Sequence, residues 1–150
     1  LSNSRLWSFC RSNLIYRHMK YLKNFESYID TDLISQVEFY KVPTGEKTVF
    51  KPSFGAKKGE TNFYQLRLDG KPIVEIEVNP NSKYGKPEIM SAFSDMRGKG
   101  LGEYLAKKVL DIYLQDEVFV RCTKDSKKFW QRCGATVADP SDPYLLHFIK

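Results

Sequence analysis

The run Arg97-Gly98-Lys99-Gly100-Leu101-Gly102 sets three glycines at alternate positions between a strand-like segment and a helix-like one. Glycine at that spacing lets the backbone take positive φ and removes side chains that would hold a ligand away, so successive N–H groups can turn into one concavity. The first turn of the following helix adds unpaired N–H groups and the positive end of its dipole, a combination suited to a phosphate or pyrophosphate. The dinucleotide pattern G-x-G-x-x-G is not met, because Glu103 stands where its last glycine belongs, and the P-loop pattern is absent. On local spacing alone, a tight turn with no ligand remains the alternative.

The flanking segments say what kind of domain holds this junction. Ile15, Met19, Leu22, Phe25 and Ile29 recur three or four apart and predict a helix over 15–29. Asp30-Thr31-Asp32 supplies turn or N-cap chemistry, and four extended segments are then expected: Val37 to Val42, Lys47 to Phe50, Phe63 to Leu68 and Pro72 to Val78. Asp69-Gly70 between two alternating runs is a hairpin signal, and Lys51 to Asn62 reads as a mobile loop with few anchors.

After a loop over Asn79 to Lys86, Pro87 to Ser94 reads as a strand and Leu101 to Leu114 as a helix. Its apolar stripe is Leu101, Leu105, Val109 and Ile112, and Glu103 stands four residues before Lys107. A strand over Glu117 to Cys122, a helix over Asp125 to Cys133 ending at Gly134, and a hairpin from Thr136 to Ile149 complete the order. With no repeat, low-complexity tract or linker, 1–150 is expected to form a single α+β domain.

The 150 residues suit one core, and 41% hydrophobic content is enough to exclude wholesale disorder. No run approaches the roughly 18 apolar residues a membrane span needs. No signal-like segment opens the sequence given, and Cys10, Cys122 and Cys133 lack metal or disulfide spacing, so free thiols in a cytoplasmic location are the expectation. The formal charge of +6 is uneven: the first 25 residues hold Arg5, Arg11, Arg17, Lys20 and Lys23 and no acid. A basic stretch of this kind is either a solvated face or an attraction for nucleic acid, phosphorylated small molecules or acidic proteins.

Arg97-x-x-Gly100-x-Gly102, after a strand and before an amphipathic helix, is similar to the acetyl-CoA pyrophosphate loop of the GNAT superfamily of N-acetyltransferases. A second resemblance lies downstream, where Phe129-Trp130-Gln131-Arg132-Cys133-Gly134 matches the aromatic pair and later glycine common in that family's last helix. The resemblance covers roughly 63–150, leaving 1–62 as a divergent N-terminal part. It implies a mixed, mostly antiparallel sheet flanked by helices, acetyl-CoA as acyl donor, and direct transfer to an amine acceptor.

Residue by residue, it implies that Ala92, Phe93 and Ser94 lie nearest the donor. Arg97, Gly98, Lys99, Gly100, Leu101 and Gly102 would hold the pyrophosphate, and Thr123 and Lys124 would line the other side. Lys127 and Lys128 could join Lys124 at the 3′-phosphate, and Trp130 packs in the core or against the donor. Thr123 replaces an asparagine often found in the family.

The amine must be neutral to attack, which for a lysine-like group near pKa 10.4 costs about 4 to 5 kcal/mol at pH 7. A carboxylate, acting directly or through water, is the usual device. Glu88 is the first candidate by family position. Glu75 and Glu77 are the second, since they share one strand face while Val74, Ile76 and Val78 share the other; the plain reading of both is solvent-facing. The family's frequent acid, a tyrosine, is replaced here by Trp130, whose indole N–H is a poor acid; Tyr104, Tyr144 or a water could serve instead. His18 and His147 show no triad or metal partner in the sequence. The competing readings are a non-catalytic acyl-CoA-binding or interaction module and an acetyltransferase directed at RNA through the basic N-terminus. No membrane partner is expected, and the chain is expected as a monomer or homodimer.

Overall fold

The computed structural model describes residues 30–53, 59–96, 99–113 and 117–149. The expected helix over 15–29, His18 and the N-terminal cations lie outside these residues, as do Arg97 and Gly98. In chain order the elements are α1 (Thr31–Gln36), β1 (Glu38–Lys41), β2 (Asn62–Leu68), β3 (Lys71–Asn79), β4 (Glu88–Ser94), α2 (Leu101–Tyr113), β5 (Glu117–Arg121), α3 (Lys127–Arg132), β6 (Thr136–Asp139) and β7 (Asp142–Ile149).

The seven strands form one sheet in the order β1-β2-β3-β4-β5-β7-β6. The β4–β5 pair is parallel and the other adjacent pairs are antiparallel, so the sheet is mixed and mostly antiparallel. Antiparallel neighbours need short turns, and Asp69-Gly70 supplies one of two residues, with φ of 52° and 76°. The parallel pair needs a longer crossover, which α2 provides.

Alternation along the strands divides the sheet into two faces. Leu66, Val74, Ile76, Val78, Ile89, Ala92, Val118, Val120, Leu146 and Phe148 join Leu101, Leu105, Ala106 and Val109 of α2 in one buried cluster with Phe129 and Trp130 of α3. Each large apolar side chain withdrawn from water there contributes roughly 1.5 to 3 kcal/mol before ordering entropy is counted. α2 lies over this helix face and touches β2, β3, β4 and β5.

The Asp30-Thr31-Asp32 signal, expected to supply turn or N-cap chemistry, is an N-cap: the Asp30 side chain accepts the Leu33 N–H at 2.9 Å and residues 31–36 form α1. The structure corrects three other sequence expectations. Lys47 to Phe50 is not a strand; the backbone N–H groups of Val49 and Phe50 are spent on the Glu75 carboxylate rather than on a ladder. Ile112 is 44% exposed, and Leu110 and Tyr113 turn toward the core instead. Of the loop expected over Lys51 to Asn62, the described start is anchored, since Ser53 bonds to Glu77 through both its backbone and its hydroxyl.

A Cβ added at Gly70 meets nothing within 4 Å, so the cost of a side chain there is purely that of positive φ. Gly70→Ala is expected to lower the unfolding free energy by about 1 kcal/mol, read from urea midpoints at unchanged m-value.

Candidate functional site

β4 and β5 pair over Glu88↔Phe119 and Ile89↔Val120 and then part. The cause lies on the other edge of β4. Glu77 stands opposite Ser91 and Val78 opposite Ile89, which leaves Met90 as an extra residue in the strand. Such a bulge bends the strand that carries it and increases its local twist, and here it turns β4 away from β5.

Register then fixes which backbone groups look into the gap. The Asp95 N–H donates to the Ile73 carbonyl at 2.7 Å, so in antiparallel alternation residues 95, 93 and 91 exchange hydrogen bonds with β3. The backbone N–H and C=O of Ala92 and Ser94 are directed the other way, toward the gap. Phe93, which the resemblance placed nearest the donor, uses its backbone on β3 and packs its ring edge-on against Phe50, with centroids 6.1 Å apart.

A cleft of about 260 Å³, counted with its open mouth, follows from the parting. Ile89, Met90, Ser91 and Ala92 line it on one side, and Val120, Arg121, Thr123, Ser126 and Trp130 on the other. Thr123 and Ser126 close a reciprocal cap: the Ser126 hydroxyl accepts the Thr123 N–H at 3.0 Å, and the Thr123 hydroxyl accepts the Ser126 N–H at 3.1 Å. Trp130 is 2% exposed and wedged against Phe129 and Phe148, so it forms a rigid end of the cleft. Lys124 is exposed beside Thr123.

At the far end of β4 the described part of the glycine run enters α2. Gly100 has φ of 76°, a conformation that a side chain disfavours, and its carbonyl accepts the Tyr104 N–H at 3.0 Å as α2 begins. Leu101 and Gly102 are buried in the first turn, with Leu101 anchoring the helix in the core. The Lys99 side chain is exposed and its Nζ stands 4.0 Å from the Asp30 carboxylate; its carbonyl accepts the Asp30 N–H at 3.2 Å.

The parted strands, inward-turned backbone and loop opening a helix all match one architecture. A solution structure of YhhK from E. coli, a proposed N-acetyl transferase bound to coenzyme A, is similar to this chain with a TM-score of 0.57 at 13% identity, covering 76% of this chain and 98% of that one. The chain has a GNAT-like fold. A chain of the KacTA–DNA complex is similar with a TM-score of 0.53 at 16% identity, over 62% of this chain and 70% of that one. No family model and no curated protein matches the sequence.

Within this GNAT-like fold the candidate acids and bases separate by environment. Glu75 and Glu77 are both 0% exposed, against the expectation of a solvent-facing pair. Glu75 takes the Val49 N–H at 2.9 Å, the Phe50 N–H at 2.8 Å and the Gln65 side chain at 2.7 Å. Burial still pushes its carboxyl above the ordinary range, against the pull of those donors. Glu77 takes the Ser53 N–H at 2.9 Å and hydroxyl at 2.6 Å, and the Ser91 hydroxyl at 3.0 Å. Both carboxylates face a strap formed by residues 48–53, and it is this cover that removes them from water.

Glu88 differs. It lies just before the parting on the same sheet face, is 7% exposed, and burial raises its carboxyl above the ordinary range, opposed by the charges of Lys83 and Arg121. Tyr104 is not brought to the cleft; Lys108 lies 5.3 Å from its ring centroid and 5.9 Å from that of Phe39, which belongs to the β1 edge. Tyr144 is 37% exposed and holds Lys127 over its ring at 5.3 Å. His147 is engaged by Glu117 through Nδ1 on the face away from the core. Among the described residues no cluster of His, Cys, Asp and Glu could hold a metal.

Met90, Ser91 and Ser126 line the cleft without having been singled out in the sequence. A bulge leaves no mark in one sequence, but Thr123-x-x-Ser126 ahead of a helix is a legible cap signal. A roomier hollow of about 840 Å³, likewise counted with its open mouth, lies between the β1–β2 connection and the start of β2, away from the parted strands.

Each Glu75 oxygen accepts a backbone N–H, and an amide can replace only one of them. Glu75→Gln is therefore expected to cost about 1 to 3 kcal/mol, measured by urea unfolding.

Proposed function

We infer that this chain is an N-acyltransferase that passes an acetyl group from acetyl-CoA to an amine acceptor by direct attack. The observation that carries the reading is the gap between β4 and β5, with the Ala92 and Ser94 backbone turned into it and the Gly100 turn at its end. An extended pantetheine-like arm needs such a slot, and its amides need backbone partners. The donor supplies a thioester whose carbonyl carbon accepts the amine.

The chain's own groups do the rest. The fixed backbone N–H of Ala92 can stabilise charge developing on a carbonyl oxygen without reorganising. The Gly100 turn, the first N–H groups of α2 and Lys99 would hold the pyrophosphate with Arg97 and Gly98, and Lys124 stands on the far side with Thr123. Glu88 is the proposed base. Ala92 is four residues on, roughly 13 Å for an extended strand, so proton transfer runs through water. A thiolate near pKa 8.5 is a tolerable leaving group, so Trp130 at the tyrosine's position does not bar turnover.

The buried Trp130 favours a second reading, a non-catalytic acyl-CoA-binding module. The RNA-directed alternative rests on the cations before residue 30, outside the described residues.

Thermal shift and thiol release with acetyl-CoA and pooled amines test the reading. Acetyl-CoA at a hundred times its Kd is expected to stabilise the fold by about 2.7 kcal/mol, with thiol released in the presence of an acceptor. Stabilisation without release across the pool selects the binding module; no stabilisation overturns both. Gly100→Glu, which sets a carboxylate in the cradle, is expected to abolish the shift.

Glu88→Gln is expected to lower kcat by about a hundredfold and to leave acetyl-CoA binding intact. The Glu88 carboxyl titrates above its ordinary 4.5, so activity dependent on its anion rises with pH only beyond that value, and the pH profile should lose this limb in the variant. The sign for stability is opposite. The folded state holds the proton longer than the unfolded chain, so wild-type stability falls as pH rises from 4.5 through the folded value, and Glu88→Gln removes that fall.

A further inference from the structure

The strap lies on the sheet face opposite α2, and its last residue is fixed to Glu77 of β3, which also holds Ser91 of β4, the strand that borders the cleft. The Ser53 and Ser91 hydroxyls donate to the same Glu77 Oε1, at 2.6 and 3.0 Å, so they stand no more than two hydrogen-bond lengths apart. Ser91 lines the cleft. Phe50, within the strap, meets the Phe93 ring edge-on at 89°. Thr48 closes the near end by donating to the Phe50 carbonyl.

The two faces offer a ligand different things. α2 and α3 fill the helix face with core side chains, and the glycine run enters α2 there. An arm lying in the gap and held at that loop presents its reactive end to the remaining face, where the strap borders Ser91 and Phe93.

Resting on the acyl-CoA reading of the cleft, we propose that residues 48–53 are the wall against which the acceptor amine is presented, and that Glu77 is the positioning residue that fixes this wall to the cofactor strand. Glu77 itself is no base. It is 0% exposed, and its oxygens take three donors that hold the strap and β4 together. One carboxylate shared by two segments sets their spacing more tightly than two separate bonds could, and small errors in such spacing are costly to a transfer between bound partners.

S-bromoacetyl-CoA tests the wall without knowledge of the acceptor, because its alkylating carbon sits where acetyl-CoA carries its methyl. A nearby cysteine thiolate forms the C–S bond and bromide leaves. Lys51→Cys puts a thiol on the exposed side of the strap, and Lys108→Cys puts an exposed thiol on α2 as the control. Peptide mass mapping counts each site apart from the native cysteines.

Cys at 51 is expected to be alkylated about tenfold faster than Cys at 108, with the preference removed by excess CoA. Glu77→Gln in the Lys51→Cys chain is expected to lower the maximal alkylation rate severalfold at an unchanged half-saturating concentration. Ser53→Ala, which removes the hydroxyl bond of that link and leaves the Ser53 N–H bond, should give the same split in smaller measure and carries the test if Glu77→Gln fails to fold. Equal rates at the two sites, with CoA still stabilising the fold, overturn the wall and leave the acyl-CoA site standing. No stabilisation by CoA and no preference overturn both. An unchanged maximal rate in Ser53→Ala, or an altered half-saturation in place of it, overturns the positioning role of Glu77.

Discussion

Everything distinctive in this molecule depends on how briefly β4 and β5 stay paired. A parallel pair held over two residue pairs is weak by itself, and Met90 ensures that it goes no further. The sheet survives because its halves are joined elsewhere: α2 crosses β2, β3, β4 and β5, and one apolar cluster runs from Tyr64 to Phe148. The gap is a local failure of hydrogen bonding that the surrounding packing tolerates.

A second constraint lies on the opposite face, where Glu75 and Glu77 interrupt an otherwise apolar strand. Burying two carboxylates is costly unless donors replace the lost water. The strap supplies three backbone N–H groups and one hydroxyl, Gln65 supplies an amide and Ser91 a second hydroxyl. The polar matching is local and directional, so this segment needs neither helix nor strand to be held in place.

The sequence made most of the chain from β2 onward legible because there the physical signals were strong and local. Alternation marked β2, β3 and β4, Asp69-Gly70 marked the hairpin, and the glycines followed by Leu101, Leu105 and Val109 marked the loop and α2. What escaped were features decided by tertiary partners. Nothing in Lys47 to Phe50 reveals that its N–H groups bond a carboxylate more than 20 residues away, and nothing in Glu75 reveals that it will be covered. For the candidate site, the glycine run marked the turn into α2 and the Phe129-Trp130 pair marked α3. Met90 and Ser91, which shape the gap between β4 and β5, carried no sequence signal, and the sequence did not reveal that the Phe93 backbone bonds β3 while those of Ala92 and Ser94 turn to the gap, because the parity of backbone bonding is fixed only by register.

The hydrogen bond from the Asp30 N–H to the Lys99 carbonyl places the start of α1 at the rim of the glycine loop. The same residue caps α1 with one carboxylate oxygen and faces the Lys99 ammonium with the other across 4.0 Å. A displacement of the loop at Lys99 would therefore be felt at the cap of α1, so the short helix and the glycine turn move as one unit.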